Sequence, residues 1–236
     1  MASIRTIVIL PTYNEKENIE SITNKILKFD EISVVVVDDE SPDGTGAIAD
    51  ELAAVNSDRI HFIHRKERGR ASAGFVGFAY ALAHDADYVI EMDADFSHNP
   101  ADIPRLLNMA REYDVVIGSR YAPGGKDAER TLVREVISKI ASLYTRLLLG
   151  RPIQDWSGGY KCYSKQALAS LGFSKFHSGG YAVGMETLYR LSNNGYSIVE
   201  IPITFQDKRL GRSKFSWHHI VEYFHTSVKL RFRQNL

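Results

Sequence analysis

The sequence has few of the features that mark secreted or membrane-spanning proteins. Cys162 is its only cysteine, so no disulfide can form within the chain, which is compatible with a reducing compartment. No apolar run approaches the roughly 18 residues of a membrane-spanning helix. The segment Met1–Thr6 has neither the basic nor the long apolar region of a signal peptide. We therefore expect a cytoplasmic protein that is soluble or peripheral to a membrane.

Charge balance and the absence of glycine motifs exclude further classes. The 29 Lys and Arg residues equal the 29 Asp and Glu residues, so the overall charge does not favour a nucleic-acid partner. No Gly-x-Gly-x-x-Gly turn follows the first predicted strand, and no Gly-x-x-x-x-Gly-Lys-Ser/Thr segment occurs, which disfavours Rossmann and P-loop nucleotide sites. The eight His residues lack zinc-site spacing. Any bound phosphate must be held by a metal ion and by basic side chains.

Apolar runs alternate along the chain with segments of helical periodicity. This alternation predicts an α/β fold, a doubly wound layer with a mainly parallel sheet flanked by helices. Strands are predicted at 4–10, 33–37, 60–63, 88–92, 115–120, 157–163 and 197–204. Helices are predicted at 15–29, 46–55, 71–84, 132–149, 165–171 and 179–193, with one more after Pro100. No repeat or low-complexity linker divides the chain, so one main domain is expected.

The central feature is the strand 88–92 and the acids that follow it, Asp93 and Asp95. Two carboxylates at the end of a buried strand repel each other unless a cation lies between them. Oxygen ligands of this kind suit Mg²⁺ or Mn²⁺, which complete their coordination with water and substrate phosphate. The alternative is that both acids only begin a loop and cap the helix after Pro100.

Further charged side chains follow other strands of the predicted sheet. Glu15, Asp38 and Asp39 come after the first two strands, and ligands of open α/β sheets bind beyond such carboxyl ends. Basic residues that suit phosphate oxygens are Arg120, Arg134, and Arg209 and Lys214 within the cationic segment 207–214. The alternative for that segment is a solvated turn.

Six ordered motifs together resemble family 2 glycosyltransferases, in particular the polyprenyl-phosphate (dolichyl-phosphate) mannose synthases. The resemblance covers about residues 4 to 225. The motifs are Pro-Thr-Tyr-Asn-Glu (11–15), Val-Asp-Asp-Glu-Ser-Pro-Asp-Gly-Thr (37–45), Met-Asp-Ala-Asp-Phe-Ser-His (92–98), Ile-Gly-Ser-Arg-Tyr (117–121), Asp-Trp-Ser-Gly-Gly-Tyr (155–160) and Arg-Leu-Gly-Arg-Ser-Lys (209–214).

The resemblance implies a GT-A fold over residues 1–215, a GDP-mannose donor, a divalent metal and a polyprenyl-phosphate acceptor. It implies that Pro11, Tyr13 and Glu15 cradle the guanine and ribose and that Val37 and Asp39 close that pocket. It places the metal on Asp93 and Asp95 against the donor diphosphate, with a backbone contact from Ala94 and a weak third ligand in Ser97. The residues that it assigns to the donor diphosphate and the acceptor phosphate are Arg120, Arg134, Arg209 and Lys214.

The chain departs from the family pattern at two places. Glu40 stands where relatives commonly have Gly, so the turn after the second strand cannot rely on a glycine at positive φ. The segment 65–74 replaces the usual Gly-Leu-Gly pattern, although Arg68 and Arg70 can still approach a donor. At position 97 relatives often carry Gln or Ser, and Ser97 is the weaker ligand of the two.

The expected chemistry is a single in-line displacement with inversion. An acceptor phosphate is already anionic near neutral pH, so it needs no strong general base, while a metal and cationic side chains stabilise the leaving diphosphate. Asp155 is either an alternative base or a structural cap. Two other functions stay open: a transferase that uses UDP-glucose, another nucleotide sugar or a non-lipid acceptor, and a sugar-nucleotide-binding module without turnover.

The C-terminal segment 216–236 has the pattern of an amphipathic helix. Its apolar face is formed by Trp217, Ile220, Val221, Phe224 and Val228. This face either lies on an anionic bilayer, where a lipid acceptor would be met, or packs on the core.

Overall fold

A computed structural model describes residues 4–128, 132–173, 176, 178, 180, 182–206 and 217–232, with side chains except at 132–134 and 217–220. Its strands are β1 (Thr6–Thr12), β2 (Ile32–Asp38), β3 (Ile60–His64), β4 (Tyr88–Glu91), β5 (Val115–Ser119), β6 (Lys126–Ala128), β7 (Lys161–Ser164), β8 (Ile198–Pro202) and β9 (Thr204–Gln206). Its α-helices are α1 (Ile19–Ile26), α2 (Thr45–Val55), α3 (Arg70–Ala83), α4 (Ile103–Met109), α5 (Leu132–Leu149), α6 (Lys165–Ala169), α7 (Val183–Asn193) and α8 (Trp217–Phe232).

Seven strands form one mixed sheet in the order β3-β2-β1-β4-β7-β5-β8. Strand β7 runs antiparallel to both of its neighbours, and the other pairs are parallel. The predicted α/β layer with a mainly parallel sheet is therefore confirmed. The antiparallel strand brings the Asp155–Tyr160 segment, which precedes it, beside the end of β4.

The sheet is covered on both faces, which explains the continuous apolar runs of its central strands. Side chains of β1 alternate between two clusters: Ile7 and Ile9 pack with helix α3 on one face, while Val8 and Leu10 pack with helix α1 on the other. At Gly77 of α3 an added Cβ would lie 2.4 Å from the Ile9 side chain, so the helix approaches the sheet very closely there.

Several predicted elements differ in their bounds from the observed ones. The strand predicted at 157–163 begins at Lys161, and the helix predicted at 179–193 begins at Val183. The helix predicted at 15–29 begins only at Ile19, because the Glu15 carbonyl accepts 2.9 Å bonds from Asn18 N and Ile19 N in a preceding turn. The strand predicted at 197–204 is two strands, and β9 pairs with β6 in a separate parallel ribbon. Three-residue strands are too short to show periodicity in sequence.

Helix α8 packs on the protein through a face that its apolar pattern does not indicate. Thr226, Ser227 and Leu230 are buried, and Tyr223 Oη lies 2.9 Å from Thr145 Oγ1 of α5. Val221, Phe224 and Val228 of the predicted apolar face are exposed instead, and the side chains of Trp217 and Ile220 are outside the described ones. Among the described helices none is long and apolar enough to cross a bilayer.

Candidate active site

The predicted convergence of acids follows from the strand order. Strands β2, β1 and β4 are neighbours and parallel, with Thr12 opposite Asp38 and Ile9 opposite Glu91. The segments that leave their carboxyl ends therefore emerge along one edge of the sheet. Asp39 and Asp93 come from two of these segments, and the edge is where open α/β sheets bind ligands.

The loops along this edge carry backbone strain. Asn14, Glu40 and Phe96, each in the segment after β1, β2 or β4, have positive φ angles of 61°, 51° and 60°. Such angles cost a non-glycine residue about 1–2 kcal/mol, and residues of this kind cluster at functional sites. Glu40 thus has a positive φ, a conformation that favours glycine, so this turn forms without that residue.

Asp38 and Asp39 hold the loops rather than facing solvent. Asp38 is 1% exposed and accepts bonds from Ser41 N at 2.9 Å and Thr12 Oγ1 at 3.2 Å. Asp39 binds Arg65 Nη1 at 2.8 Å and Gly69 N at 2.7 Å. Burial raises the pKa of Asp39, although the Gly69 amide and Arg65 oppose the rise. Asp39 therefore ties the loop before α3 to the end of β2.

The residues predicted to cradle a nucleotide base lie beside this tether. Pro11 and Tyr13 are partly exposed at the end of β1, and the Arg68 guanidinium lies 4.7 Å from the Tyr13 ring centre. Glu15 is partly exposed and accepts a 2.9 Å bond from Asn18 Nδ2. The Val37 side chain is completely buried in the core, so it can meet a ligand only through its main chain.

We call this edge of the sheet, formed by the segments after β1, β2 and β4, the crevice. Within it, Asp93 is surrounded by three groups. Arg70, the first residue of α3, donates from Nη2 at 2.5 Å and Nε at 3.1 Å to Asp93 Oδ1. The Asp93 amide donates to His98 Nδ1 at 3.0 Å. A Cβ on Gly159 would lie 2.7 Å from Arg70 Nη2 and 3.4 Å from Asp93 Oδ2, so the second glycine of the Gly-Gly pair lets the main chain close over this cluster.

His98 is a buried neutral base that orients the Asp93 main chain. It is 1% exposed, and its ring stacks on Tyr160 at 5.0 Å. Burial lowers the pKa of His98 to about 4, against the attraction of Asp93. Because its Nδ1 accepts the amide proton, His98 supports the acid rather than competing for metal. His98 belongs to the motif at 92–98, but its role was not predicted from the sequence, because it depends on how the segment folds back on Asp93.

Asp95 and the residues after it form a tight turn. Asp95 is 6% exposed, its Oδ1 accepts a 3.0 Å bond from Ser97 N, and Ser97 O accepts one from Gln206 N at 3.2 Å. The short helical turn at Pro100 is capped by Asn99, whose Oδ1 accepts from Ala101 N. The alternative that Asp93 and Asp95 serve as helix caps is therefore not supported. Ala94 is 2% exposed between them.

A second layer of charge lies beneath Asp93. Glu91, which ends β4, contacts Arg70 Nη1 at 3.5 Å and lies opposite Lys161 of β7. Lys161 is 2% exposed and donates to the Gly158 carbonyl. Burial lowers the pKa of Lys161, and the Glu91 carboxylate partly offsets this effect. The role of Lys161 as a buried cation beside Glu91 was not predicted from the sequence, because it depends on the antiparallel pairing of β7 with β4.

Arg120 and Asp155 form a buried ion pair at the other end of the crevice. Arg120 donates to Asp155 from Nε at 2.8 Å and Nη2 at 2.7 Å, and both residues are buried. Burial alone would raise the pKa of Asp155, but the Arg120 guanidinium lowers it below its ordinary value. Gly158 makes room for this carboxylate, since its added Cβ would lie 3.2 Å away. The geometry favours the structural role of Asp155 over that of a base.

A cavity of about 310 Å³ adjoins this pair, between the loop after β5 and helix α5. It is lined by Arg120, Lys139 and Arg146, and by apolar Leu143. Arg134 lies in the first turn of the same helix, and its side chain is outside the described ones. Arg209 and Lys214 lie outside the described residues, so their predicted roles stay predictions.

Asp93 and Asp95 form a ligand set that suits a hard divalent cation, which prefers oxygen ligands. Both side chains offer carboxylate oxygens, and no cluster of three or more His, Cys, Asp or Glu suited to a metal occurs among the described residues. Such a pair matches Mg²⁺ or Mn²⁺, which take one or two protein carboxylates plus water and substrate phosphate.

An apolar surface lies next to the cavity, on helices α5 and α8. The helices touch through Tyr144 and Phe224, whose ring centres are 4.8 Å apart. We call the exposed apolar side chains of this pair the α5–α8 surface: Val136, Ile137, Ile140, Leu143, Leu147, Val221, Phe224, Val228 and Phe232. Contiguous exposed apolar groups of this size mark interaction sites.

Comparisons with known proteins agree with the resemblance seen in the sequence. The family model for glycosyl transferase family 2 matches residues 7–172. The polyprenol monophosphomannose synthase of Mycolicibacterium smegmatis is 43% identical over 221 residues, 92% of this chain and 83% of that protein. The undecaprenyl-phosphate mannosyltransferase of Micrococcus luteus is 40% identical over 215 residues, 90% of this chain and 88% of that protein.

Solved structures match the fold at lower identity. Glucosyl-3-phosphoglycerate synthase of Mycobacterium tuberculosis, with Mn²⁺, UDP-glucose and phosphoglyceric acid, aligns with a TM-score of 0.67 at 20% identity, over 98% of this chain and 80% of that chain. A mannosyltransferase of Pyrobaculum calidifontis with GDP-Man and Mn²⁺ aligns with a TM-score of 0.61 at 21% identity, over 95% and 64%. These likenesses confirm the predicted glycosyltransferase fold.

Proposed function

The chain belongs to glycosyl transferase family 2, and on that premise we propose that it transfers mannose from GDP-mannose to a polyprenyl (dolichyl) phosphate. The product is a β-linked mannosyl phosphate lipid, formed with inversion. The observation that carries the proposal is the similarity, over 90% or more of the chain, to two mannosyltransferases whose names specify polyprenol and undecaprenyl phosphate. The crevice supports it, because its acids and cations suit a diphosphate.

The donor binds along the edge formed by β2, β1 and β4. Its base and ribose lie near Pro11, Tyr13 and Glu15, beside the loop that Asp39 and Arg65 hold together. Asp93 and Asp95 would hold Mg²⁺ or Mn²⁺, and the ion would supply positive charge that stabilises a departing diphosphate. Arg134, Arg209 and Lys214 supply further positive charge to the donor diphosphate and the acceptor phosphate.

The acceptor supplies its own nucleophile. A phosphate monoester is anionic near neutral pH, so the chain needs no side chain of raised basicity to remove a proton. This agrees with Asp155, which is completely buried and paired with Arg120 and is therefore unsuited to act as a base. Arg120 shapes the acceptor end by holding the Asp155–Tyr160 segment in place, and its Nη1 lies 3.9 Å from Asp127 Oδ2.

The lipid part of the acceptor explains the α5–α8 surface. Ile140, Leu147 and Phe232 are 61%, 73% and 74% exposed, which is costly in water and favourable in the acyl region of a bilayer. Lys139 and Arg146 lie beside them, where anionic headgroups attract positive charge. We place the protein peripherally on a membrane, with this surface inserted and the crevice facing the aqueous phase.

Transfer assays with the purified chain test the proposal. GDP-mannose and UDP-glucose are each offered with undecaprenyl or dolichyl phosphate and Mn²⁺ or Mg²⁺, and with water-soluble phosphate acceptors. We expect label in the organic phase only from GDP-mannose with a polyprenyl phosphate, and a β anomer by NMR. Preference for UDP-glucose or for a non-lipid acceptor would support the other transferase. Donor binding in a thermal-shift assay without turnover would indicate a binding module.

A further inference from the structure

Arg70 occupies the carboxylate that the metal is expected to use. Its Nη2 and Nε both donate to Asp93 Oδ1, at 2.5 Å and 3.1 Å, and its Nη1 reaches Glu91 Oε1 at 3.5 Å. The guanidinium therefore contacts two neighbouring acids at once and offsets part of their combined negative charge. Without it, Glu91 and Asp93 would face each other as like charges in a partly buried site.

The position of Arg70 differs from that of the other cations near these acids. Its side chain is 41% exposed, whereas the Arg120 side chain is 7% exposed and tied to Asp155. Lys161 is 2% exposed and lies beneath Glu91. Arg70 can therefore move outward on its flexible stem, while the two buried cations are fixed by their surroundings.

A divalent cation bound by Asp93 would compete with the Arg70 guanidinium for this carboxylate. Two positive groups on one carboxylate repel each other, and the repulsion is stronger in a partly buried site than in water. Glu91 keeps the buried Lys161 ammonium as a partner when Arg70 leaves. A diphosphate that arrives with the metal offers new oxygens, which a guanidinium binds as a fork.

We propose that Arg70 is an exchangeable cation of the donor site: it holds Asp93 before metal binds and moves to the donor diphosphate when metal takes its place. The inference rests on the proposed function for the identity of the diphosphate. The proposal predicts that metal binding and nucleotide binding are coupled. A metal ion alone must displace Arg70 from Asp93, whereas a metal ion that binds with a nucleoside diphosphate gives Arg70 a new partner.

Metal binding in the absence of nucleotide tests whether Arg70 and a metal ion compete for Asp93. Mn²⁺ affinity is measured by electron paramagnetic resonance of the free ion, for the unaltered chain and for Arg70→Gln. We expect the variant to bind Mn²⁺ about fivefold more tightly, the scale of a partly exposed ion pair. The matched control is Arg105→Gln, since Arg105 also binds an Asp at 2.5 Å, at 51% exposure and away from Asp93. The control should leave the Mn²⁺ affinity unchanged.

Nucleotide binding with saturating Mn²⁺ tests whether Arg70 moves to the donor diphosphate. We expect Arg70→Gln to bind GDP about fivefold more weakly than the unaltered chain. Unchanged or weaker Mn²⁺ binding by Arg70→Gln without nucleotide would overturn competition at Asp93. Tighter Mn²⁺ binding with unchanged GDP affinity would overturn the transfer of Arg70 to the diphosphate.

The two arms also separate this inference from the proposed function. If the unaltered chain prefers UDP to GDP, the proposed donor is wrong, but the Mn²⁺ comparison between Arg70→Gln and the unaltered chain keeps its meaning. Circular dichroism and thermal unfolding of both variants confirm that the compared proteins are folded.

Discussion

The crevice and the α5–α8 surface differ in the side chains that they present: the crevice presents charged groups, and the α5–α8 surface presents apolar groups. In the crevice, charged side chains are already paired: Asp39 with Arg65, and Asp93 with Arg70. On the α5–α8 surface, large apolar side chains such as Leu147 extend into solvent without such compensation. The crevice is therefore prepared for a charged ligand from water, and the helical surface for an apolar environment.

The two regions meet at the cavity beside Arg120. One side of this cavity is formed by the loop after β5, and the other by helix α5, whose Leu143 belongs to the apolar surface. A lipid phosphate is the kind of ligand that needs both environments at once, a charged head and a long apolar chain. The contrast between the regions thus defines the two ends of the proposed acceptor.

The largest effect should come from removing charge in the crevice. Asp95→Asn keeps an oxygen that can accept from Ser97 N but removes a carboxylate from the proposed metal site. We expect mannose transfer to fall about a thousandfold, the scale of a lost electrostatic contact to the leaving group, while vesicle binding is unchanged. Initial rates and vesicle co-sedimentation measure the two. Near-normal turnover would remove Asp95 from the site.

A smaller effect is expected when the α5–α8 surface loses apolar side chains, and it should appear in the affinity for vesicles. The double variant Leu147→Ser with Phe232→Ser changes the two most exposed side chains of the α5–α8 surface. Burying such groups is worth about 1.5–3 kcal/mol each when complete, so affinity for vesicles of phosphatidylcholine and phosphatidylglycerol should fall about tenfold or more. Binding of GDP should not change, because the crevice is untouched.

The control for this variant is Val55→Ser. Val55 is 83% exposed at the end of α2, outside the α5–α8 surface, so the substitution removes a comparable exposed apolar group. It should leave vesicle binding as it was. Equal binding by the double variant and this control would mean that the surface serves another purpose.

The sequence predicted those parts of the fold that rest on local pattern. Helix α5 was predicted at 132–149 and is observed as Leu132–Leu149, because its periodicity is long and regular. Strands β1 to β4 were predicted from their apolar runs, which are continuous in the buried strands β1 and β2. The packing of α8 was not predictable, since it docks partly through polar Thr226 and Ser227, while Val221, Phe224, Val228 and Phe232 stay exposed.

The pairings within the site depend on tertiary structure. Arg70 meets Asp93 across 23 residues, and Arg120 meets Asp155 across 35. The first pairing requires α3 to pack against β1 and β4, and the second requires β7 to enter the sheet antiparallel between β4 and β5. No local pattern indicates either arrangement. The sequence therefore predicted which residues gather at the edge, but not which acid holds which base.

The smallest effect concerns the turn that departs from the family pattern. Glu40 has a φ of 51° and an exposed side chain, so Glu40→Gly relieves about 1–2 kcal/mol of backbone strain and costs about 0.5–1 kcal/mol in chain entropy. We expect the free energy of unfolding to rise by about 0.5–1 kcal/mol in urea titrations. Glu31→Gly, at an exposed turn residue without positive φ, should lower it slightly. A loss of stability in Glu40→Gly would show that the turn is held by Glu40 rather than strained by it.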